Sequence, residues 1–293
     1  MKIGYPCIHD AFDCRPSRTF RLANYSQEYL IEKISGNLDC LEKILLWNVE
    51  HDLLFFRITS DLIPFGSHPV HDFDFATYFR DKFTTLREII SASDMRISMH
   101  PGQYTLLNAK DEEVVGRAVA DLEYHADVLD ALGLDGRHKI QIHVGGVYGD
   151  KPAAMERFIS QYQKLPERIQ DRLVIENDDV SYSVADCLEI HKEIGIPIIF
   201  DNLHHACLHE GEDEKAALQE VAETWKKEDG IPMIDYSDQE PEERKGKHRT
   251  HIDVNHFREF LRTIRETRLD VDIMLEIKDK EKSALLARKA LDE

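Results

Sequence analysis

The segment over residues 139–178, KIQIHVGGVYGDKPAAMERFISQYQKLPERIQDRLVIEND, decides the fold. It begins and ends with short apolar runs, KIQIHV and RLVIE, and residues 152–165 between them have helical composition. The first run reaches a polar side chain at His143 and the second at Glu176. Continuous apolar runs are typical of parallel strands that are covered on both faces, and a helix between two of them predicts a βαβ unit.

The same unit recurs along the whole chain. Eight strand-like runs end in polar residues, which are Tyr5, Arg57, His100, His143, Glu176, Asp201, Asp235 and Glu276. Helices are expected at residues 26–51 (with Ser26 as N-cap), 74–93, 111–133, 152–165, 181–194, 213–227, 255–267 and 279–291. Eight alternating strands and helices predict an α/β fold, a (β/α)8 TIM barrel, as a single domain over residues 1–293.

Composition narrows the class of protein further. No apolar run approaches the roughly 18 residues of a membrane span, so we expect no membrane partner. The N-terminal residues reach His9 and Asp10 too early for a secretory signal. The five cysteines form no CxxC pair, and their odd number argues against a complete disulfide framework. These features predict a soluble protein of the cytoplasm whose cysteines are reduced.

The net charge of −19 argues against a nucleic-acid partner, because binding to phosphate relies on Lys and Arg. Bound divalent cations would offset part of this charge. The basic residues are also clustered, with Arg15, Arg18 and Arg21 after the first strand and a group at residues 244–249 after the seventh. Both groups belong to loops at one mouth of the predicted barrel, and a local field can direct docking despite the net charge.

Metal-ligating side chains concentrate at the strand ends and in the loops that follow them. They are His68, His100, His143, Glu176, Asp201, His204, His248 and Glu276. In a TIM barrel these positions meet at the C-terminal mouth, and imidazole with carboxylate suits Zn²⁺, Mn²⁺ or Fe. Asp201 and His204 have the D-x-x-H spacing that lets both reach one ion. The remaining histidines are interpreted as surface or packing residues, and the cysteines as small apolar residues.

Several motifs resemble the UV damage endonucleases. They are GYPC at residues 4–7, RxxR at 18–21, FRITSDLIPFGSHP at 56–69, SMHPGQY at 98–104, END at 176–178, DNLHH at 201–205 and SDQEP at 237–241. The resemblance extends from the first strand to Glu276. It implies a metal-dependent barrel, similar to endonuclease IV, that recognises distorted double-stranded DNA and cuts the backbone 5′ to a UV photoproduct. Abasic sites remain open as a further substrate, and no obligate protein partner is implied.

The resemblance also implies roles for individual residues. It makes the eight residues of the strand-end argument ligands of two or three Mn²⁺ ions, with Zn²⁺ or Mg²⁺ as alternatives. Catalytic roles fall to Glu176, Glu276, His68, His248 and Asp235, with the two glutamates as bridging carboxylates. DNA contacts fall to Tyr5, Gln103, Tyr104, Arg57, Arg18 and Arg21, among which Gln103 and Tyr104 would wedge into the duplex at the lesion.

The chain departs from the family pattern at the seventh strand. Some relatives carry a carboxylated lysine and a histidine there, where this chain has Met233 and Asp235. Asp235 would then have to serve as ligand or base, which leaves the geometry of a third ion open. Two other functions also stay open: a metal-dependent sugar isomerase or epimerase on the same barrel, and a non-catalytic protein that binds damaged DNA.

Overall fold

Eight parallel strands close into a barrel in chain order, so the predicted (β/α)8 fold is confirmed. The structure is a computed structural model, which describes residues 1–292. The strands are β1 (Ile3–Pro6), β2 (Phe55–Ile58), β3 (Arg96–Met99), β4 (Lys139–His143), β5 (Leu173–Glu176), β6 (Ile198–Asp201), β7 (Met233–Tyr236) and β8 (Asp272–Leu275). The barrel closes where β1 pairs with β8, with Ile3 opposite Ile273.

Helices surround the barrel close to the positions expected from the sequence. They are α1 (Gln27–Glu50), α2 (Phe75–Tyr78), α3 (Arg80–Ala92), α4 (Glu112–Ala131), α5 (Lys151–Tyr162), α6 (Glu167–Gln170), α7 (Val184–Ile194), α8 (Asn202–Cys207), α9 (Glu214–Glu223), α10 (Val254–Thr267) and α11 (Glu281–Leu291). Ser26 caps α1 as predicted, since its hydroxyl accepts a hydrogen bond from the Tyr29 N–H at 3.2 Å. The helix expected over 74–93 is divided into α2 and α3 at Phe79.

Side chains fill the barrel interior in layers, which begin at the N-terminal ends of the strands. Arg96 and Lys139, the first residues of β3 and β4, form ion pairs with Asp272 at 3.1 Å and Asp229 at 2.6 Å. Above them lies an apolar layer made by Phe55, Val174, Ile199, Met233 and Met274 together with Trp225. Met233 is therefore a packing residue of this layer. Because the interior is closed below, polar side chains are free for chemistry only at the C-terminal mouth.

A disulfide contradicts the expectation that all cysteines are reduced. Cys14, in the loop after β1, is bonded to Cys40 in α1, with 5.7 Å between their Cα atoms. The pair was missed because the loop folds back onto α1, which spacing along the chain does not reveal. Cys7, Cys187 and Cys207 are free.

Among residues 1–292 no helix combines the length and the apolar character needed to cross a bilayer.

Candidate metal centre

Three overlapping groups of potential ligands lie at the C-terminal mouth. The first contains His100, His143 and Glu176, the second Glu176, Asp201 and His204, and the third Asp201, Asp235 and Glu276, with ligand atoms within 4.8 Å of one another in each group. Adjacent groups share a carboxylate, Glu176 in one case and Asp201 in the other. A shared carboxylate can bridge two ions, so the arrangement suits a multi-metal site. The sequence assigned the bridges to Glu176 and Glu276, whereas in this geometry Asp201 is the second shared residue.

Glu176 is the centre of this arrangement. Its side chain is buried, and its oxygens lie 3.0 Å from His204 Nδ1, 3.5 Å from His100 Nε2 and 3.9 Å from His143 Nε2. Burial raises the pKa of Glu176, but the imidazoles of His143, His100 and His204 outweigh it and hold that pKa well below its usual value. The carboxylate is therefore ionised and able to ligate a cation.

Three histidines are oriented as metal ligands usually are. His100 Nδ1 donates to the Pro101 carbonyl at 2.9 Å, His204 Nδ1 to the Asn177 carbonyl at 3.0 Å, and His248 Nδ1 to the Glu276 carbonyl at 3.0 Å. In a neutral imidazole, a backbone carbonyl that accepts from one ring nitrogen leaves the other nitrogen unprotonated and free to bind a metal. The three rings therefore present Nε2 as the candidate ligand atom.

Unpartnered buried atoms provide a second indication that cations fit here. Asp201 Oδ1 accepts from the His204 N–H at 2.8 Å, but Asp201 Oδ2 is buried without a hydrogen-bond partner among the described residues. Burial raises the pKa of Asp201 to about 6. An orphaned buried carboxylate oxygen is costly unless a group outside the protein satisfies it. A divalent ion would do so, and the D-x-x-H pair indeed contributes both members to one group.

The guanidinium of Arg57 lies below the third ligand group and contacts its acids. Arg57 Nη2 donates to Asp235 Oδ1 at 2.7 Å and to Gln141 Oε1 at 2.7 Å, and Arg57 Nη1 donates to Glu276. Burial raises the pKa of Glu276, but Arg57 outweighs it and lowers that pKa to about 2. The contact between Arg57 and DNA phosphate stays a prediction. The Arg57 side chain is largely buried and bound to these acids, and it lines a cleft at the mouth.

Gln141 is a site residue that the sequence analysis missed. Its amide nitrogen donates to Glu176 and, at 2.6 Å, to Asp235 Oδ2, so it connects the first group to the third. A signal was present in the sequence. Gln141 is the polar residue in the middle of KIQIH and lies two positions before His143, hence on the same face of β4.

His68 and His248 belong to none of the three ligand groups found among residues 1–292. His248 Nδ1 is 3.6 Å from Glu276 Oε2, and its ring is 5.7 Å from that of His204. His68 is exposed in the loop after β2, where its Nδ1 accepts from the Val70 N–H at 3.0 Å. It joins none of the ligand groups found among residues 1–292.

The predicted DNA-contacting residues fall in two environments. Tyr104 is 80% exposed beside Gln103 in the loop after β3, and Arg18 and Arg21 are exposed in the loop after β1. Tyr5 is fully buried instead, with its hydroxyl donating to Asn48 Oδ1 at 2.7 Å. Its stacking on DNA stays a prediction, since in this structure the Tyr5 side chain points from β1 towards α1.

Comparisons with known proteins place the chain in a family. The sequence model of the UV-endonuclease UvdE family matches residues 1–293. A UV DNA damage endonuclease of Clostridium perfringens (strain 13 / Type A) is 41% identical over 298 residues, covering 100% of this chain and 71% of the relative. One from Bacillus cereus (strain Q1) is 31% identical, covering 97% and 92%. The crystal structure of SacUVDE superposes with a TM-score of 0.94 at 46% identity, covering 100% of this chain and 98% of the other.

More distant structures share the fold alone. Endonuclease IV from Thermus thermophilus has a TM-score of 0.62 at 14% identity, covering 100% of this chain and 99% of the other. A D-psicose 3-epimerase has a TM-score of 0.57 at 12% identity, covering 86% and 91%. Fold and family together thus define an endonuclease built on a TIM barrel. The chain belongs to the UV-endonuclease UvdE family.

Proposed function

We propose that this chain incises double-stranded DNA on the 5′ side of UV photoproducts, using two or three divalent ions, preferably Mn²⁺, held at the barrel mouth. The observation that carries the proposal is the overlap of the ligand groups through Glu176 and Asp201. Membership of the family supports the DNA substrate, since the relatives are named UV DNA damage endonucleases.

The residues of the cluster have distinct parts in this proposal. Imidazole and carboxylate oxygens suit Mn²⁺ or Zn²⁺, and the absence of cysteine among the ligand groups of residues 1–292 disfavours a structural zinc site. When bound, the ions would supply a hydroxide nucleophile and neutralise charge on the phosphate. His100, His204 and His248 would offer Nε2, while Gln141 and Arg57 fix the carboxylates from below.

Recognition of the lesion would fall to the loop after β3. Tyr104 and Gln103 project from this loop, and Tyr104 is 80% exposed with no packing role to explain it. A planar aromatic side chain can fill the gap that opens when bases leave the stack. Extrusion costs less at a photoproduct, because stacking and pairing are already weakened there. The selectivity for damaged over undamaged DNA would then follow from the weaker stacking and pairing at the lesion.

Nicking of supercoiled plasmid tests the proposal. With Mn²⁺, we expect the protein to nick UV-irradiated plasmid and to leave unirradiated plasmid intact. Glu176→Gln should fold normally and lose the activity, while Glu189→Gln, on the exposed face of α7, should keep it. The position of the nick, mapped on a duplex with one photoproduct, should lie 5′ to the lesion. No nicking with Mn²⁺, Mg²⁺ or Zn²⁺ would overturn the proposed activity and leave damaged-DNA binding or sugar isomerisation as alternatives.

A further inference from the structure

A cleft of about 660 Å³ opens directly beside the candidate metal centre, with which it shares His100, His248 and Glu276. Its walls come from the loop after β7 and the loop after β8. These two loops contribute four basic residues to the lining: Arg244, Lys247, Lys278 and Lys280. In TIM barrels the loops after the seventh and eighth strands frequently form a phosphate-binding site.

The positive charge of this cleft is largely uncompensated. Lys247 forms an ion pair with Glu243, which also lines the cleft, at 2.6 Å. Lys278 contributes to a lowered pKa of Glu240, but no ion pair within 4.0 Å is found for Arg244, Lys278 or Lys280 among residues 1–292. Glu276, the acid on the floor, is already paired with Arg57, and the Arg57 Nε has no hydrogen-bond partner in the described structure. On a chain with a net charge of −19, such a concentration of free cations is unusual and favours an anionic ligand.

Two other clefts at the same mouth have the opposite character. One of about 360 Å³ is lined by Asp178 and Asp179 and carries no lysine or arginine. The other, of about 560 Å³, is lined by Asp61 and Asp121, with Arg117 as its single cation. Both also include residues of the loop that carries Gln103 and Tyr104. Acidic walls repel phosphate but can accommodate bases, so the sugar–phosphate backbone is best placed in the basic cleft.

Two of the eight non-glycine residues with positive φ among residues 1–292 line the basic cleft. Cys7, on one side, has a φ of 73°, and Lys280, directly before α11, has a φ of 53°. Neither is a glycine, and positive φ at such residues is uncommon and costs free energy. Conformations of this kind persist at ligand-binding sites, where they aim a side chain that the relaxed backbone would turn elsewhere. The positive φ of Lys280 therefore occurs at a residue of the cleft wall.

We propose that Arg244, Lys278 and Lys280 bind a backbone phosphate of the cut DNA strand, next to the phosphate at the metal centre. The inference rests on the proposed function for its choice of DNA as the anion. The contact positions the strand and carries no information about sequence or lesion, because phosphate is the same at every step. It also explains how a strongly acidic protein can hold DNA at this mouth.

The salt dependence of DNA binding tests this site. The dissociation constant for an undamaged duplex, which the proposed activity does not cut, is measured by fluorescence anisotropy over a range of KCl concentrations with the metal-loaded protein. The logarithm of this dissociation constant rises linearly with the logarithm of the salt concentration, and losing one phosphate contact reduces the slope of that line by about 0.9. The double variant Lys278→Ala/Lys280→Gly removes two of the three cations around that phosphate, so we expect it to lower the slope by about 0.9. Glycine tolerates the positive φ at position 280, so the fold is spared.

Lys227→Ala is the matched control, because Lys227 is an exposed lysine just before β7, at the opposite end of the barrel. Its slope should equal that of the unmodified protein. A double variant with an unchanged slope, or a control with the same loss, would overturn the phosphate site. The comparison is independent of incision: a protein that fails to nick irradiated plasmid but shows the expected slopes would refute the proposed activity and retain the site.

Discussion

Arg57 Nη2 donates hydrogen bonds to both oxygens of Asp235, at 2.7 and 2.8 Å, in the interior of the barrel directly below its mouth. Burial raises the pKa of Asp235 well above its usual value, an effect that Arg57 opposes. Asp235 is one of the three potential ligands of the third group, so the guanidinium already neutralises part of the charge that a cation would meet there. The Arg57–Asp235 pair thus determines how much negative charge the third ligand group offers to a cation.

Removing the guanidinium should destabilise the fold strongly. Arg57→Met leaves the buried Asp235 and the partly buried Glu276 without their cation, and breaking a buried pair from one side costs about 3 to 5 kcal/mol. The free energy of unfolding in urea, measured with EDTA so that metals do not compensate, should fall by that amount. Arg168→Met is the control, since its ion pairs with Asp127 and Asp130 are largely exposed, and it should cost no more than about 1 kcal/mol. Equal losses in the two variants would show that the buried pair is not needed.

The sequence predicted the strand ends well but not the direction of each side chain. Strands covered on both faces are apolar throughout, so no alternation shows which residues face the interior. Tyr5 and Arg57 both end apolar runs, yet Tyr5 points to α1 and Arg57 points into the barrel. His68 lies in a long loop, whose path depends on tertiary contacts. The Cys14–Cys40 bond likewise depends on a loop conformation that cysteine spacing does not encode.

Metal binding should depend most on the carboxylates that two groups share. Glu176 belongs to two ligand groups and His143 to one, so Glu176→Gln should reduce the metal content more than His143→Ala does. The metal bound per chain, measured by elemental analysis after Mn²⁺ loading and gel filtration, gives the comparison. Glu189→Gln serves as the exposed control and should bind as much metal as the unmodified protein. A greater loss for His143→Ala would contradict the bridging position of Glu176.

Tyr104 should matter for incision and not for folding. Because its side chain is 80% exposed, Tyr104→Ala should change the free energy of unfolding by less than about 0.5 kcal/mol. Loss of a stacking aromatic costs about 1 to 3 kcal/mol, so nicking of irradiated plasmid should slow by roughly 10-fold or more. Tyr78→Ala, at a tyrosine of α2 that is 59% exposed, is the control and should nick normally. Normal nicking by Tyr104→Ala would remove this side chain from lesion recognition.

The Cys14–Cys40 bond should stabilise the protein through its unfolded state. The two cysteines are 26 residues apart, and closing a loop of that size contributes about 3 kcal/mol. Cys14→Ser should therefore lower the free energy of unfolding by that amount and make it insensitive to dithiothreitol. Cys207→Ser, at a free cysteine, should leave the response to the reductant intact. Thiol titration of the denatured, unreduced protein should find three reactive groups, as the structure has three free cysteines.

His138 should make the stability of the fold depend on pH. Its Nδ1 accepts a hydrogen bond from the Ile97 N–H at 3.0 Å, and burial lowers the pKa of His138 from 6.5 to about 4. The folded state thus favours the neutral ring. The contribution of the neutral His138 ring to stability is complete above pH 6.5. It is lost as the pH falls towards 4, because in this range the ring is protonated in the unfolded chain but not in the folded one. Because the ring is only half-buried, water screens part of the effect, and we expect a loss of about 2 kcal/mol.

A substitution that keeps the acceptor but cannot titrate isolates this contribution. Asn Oδ1 can replace Nδ1 in His138→Asn, so the unfolding free energy of the unmodified protein should fall relative to that of the variant between about pH 7 and pH 4. Urea titrations at closely spaced pH values measure the difference. His209→Asn is the control, because His209 Nδ1 also accepts from a backbone N–H, that of Gly211 at 3.1 Å, but its side chain is exposed. Parallel pH profiles for His138→Asn and the unmodified protein would show that the His138 ring does not control acid stability.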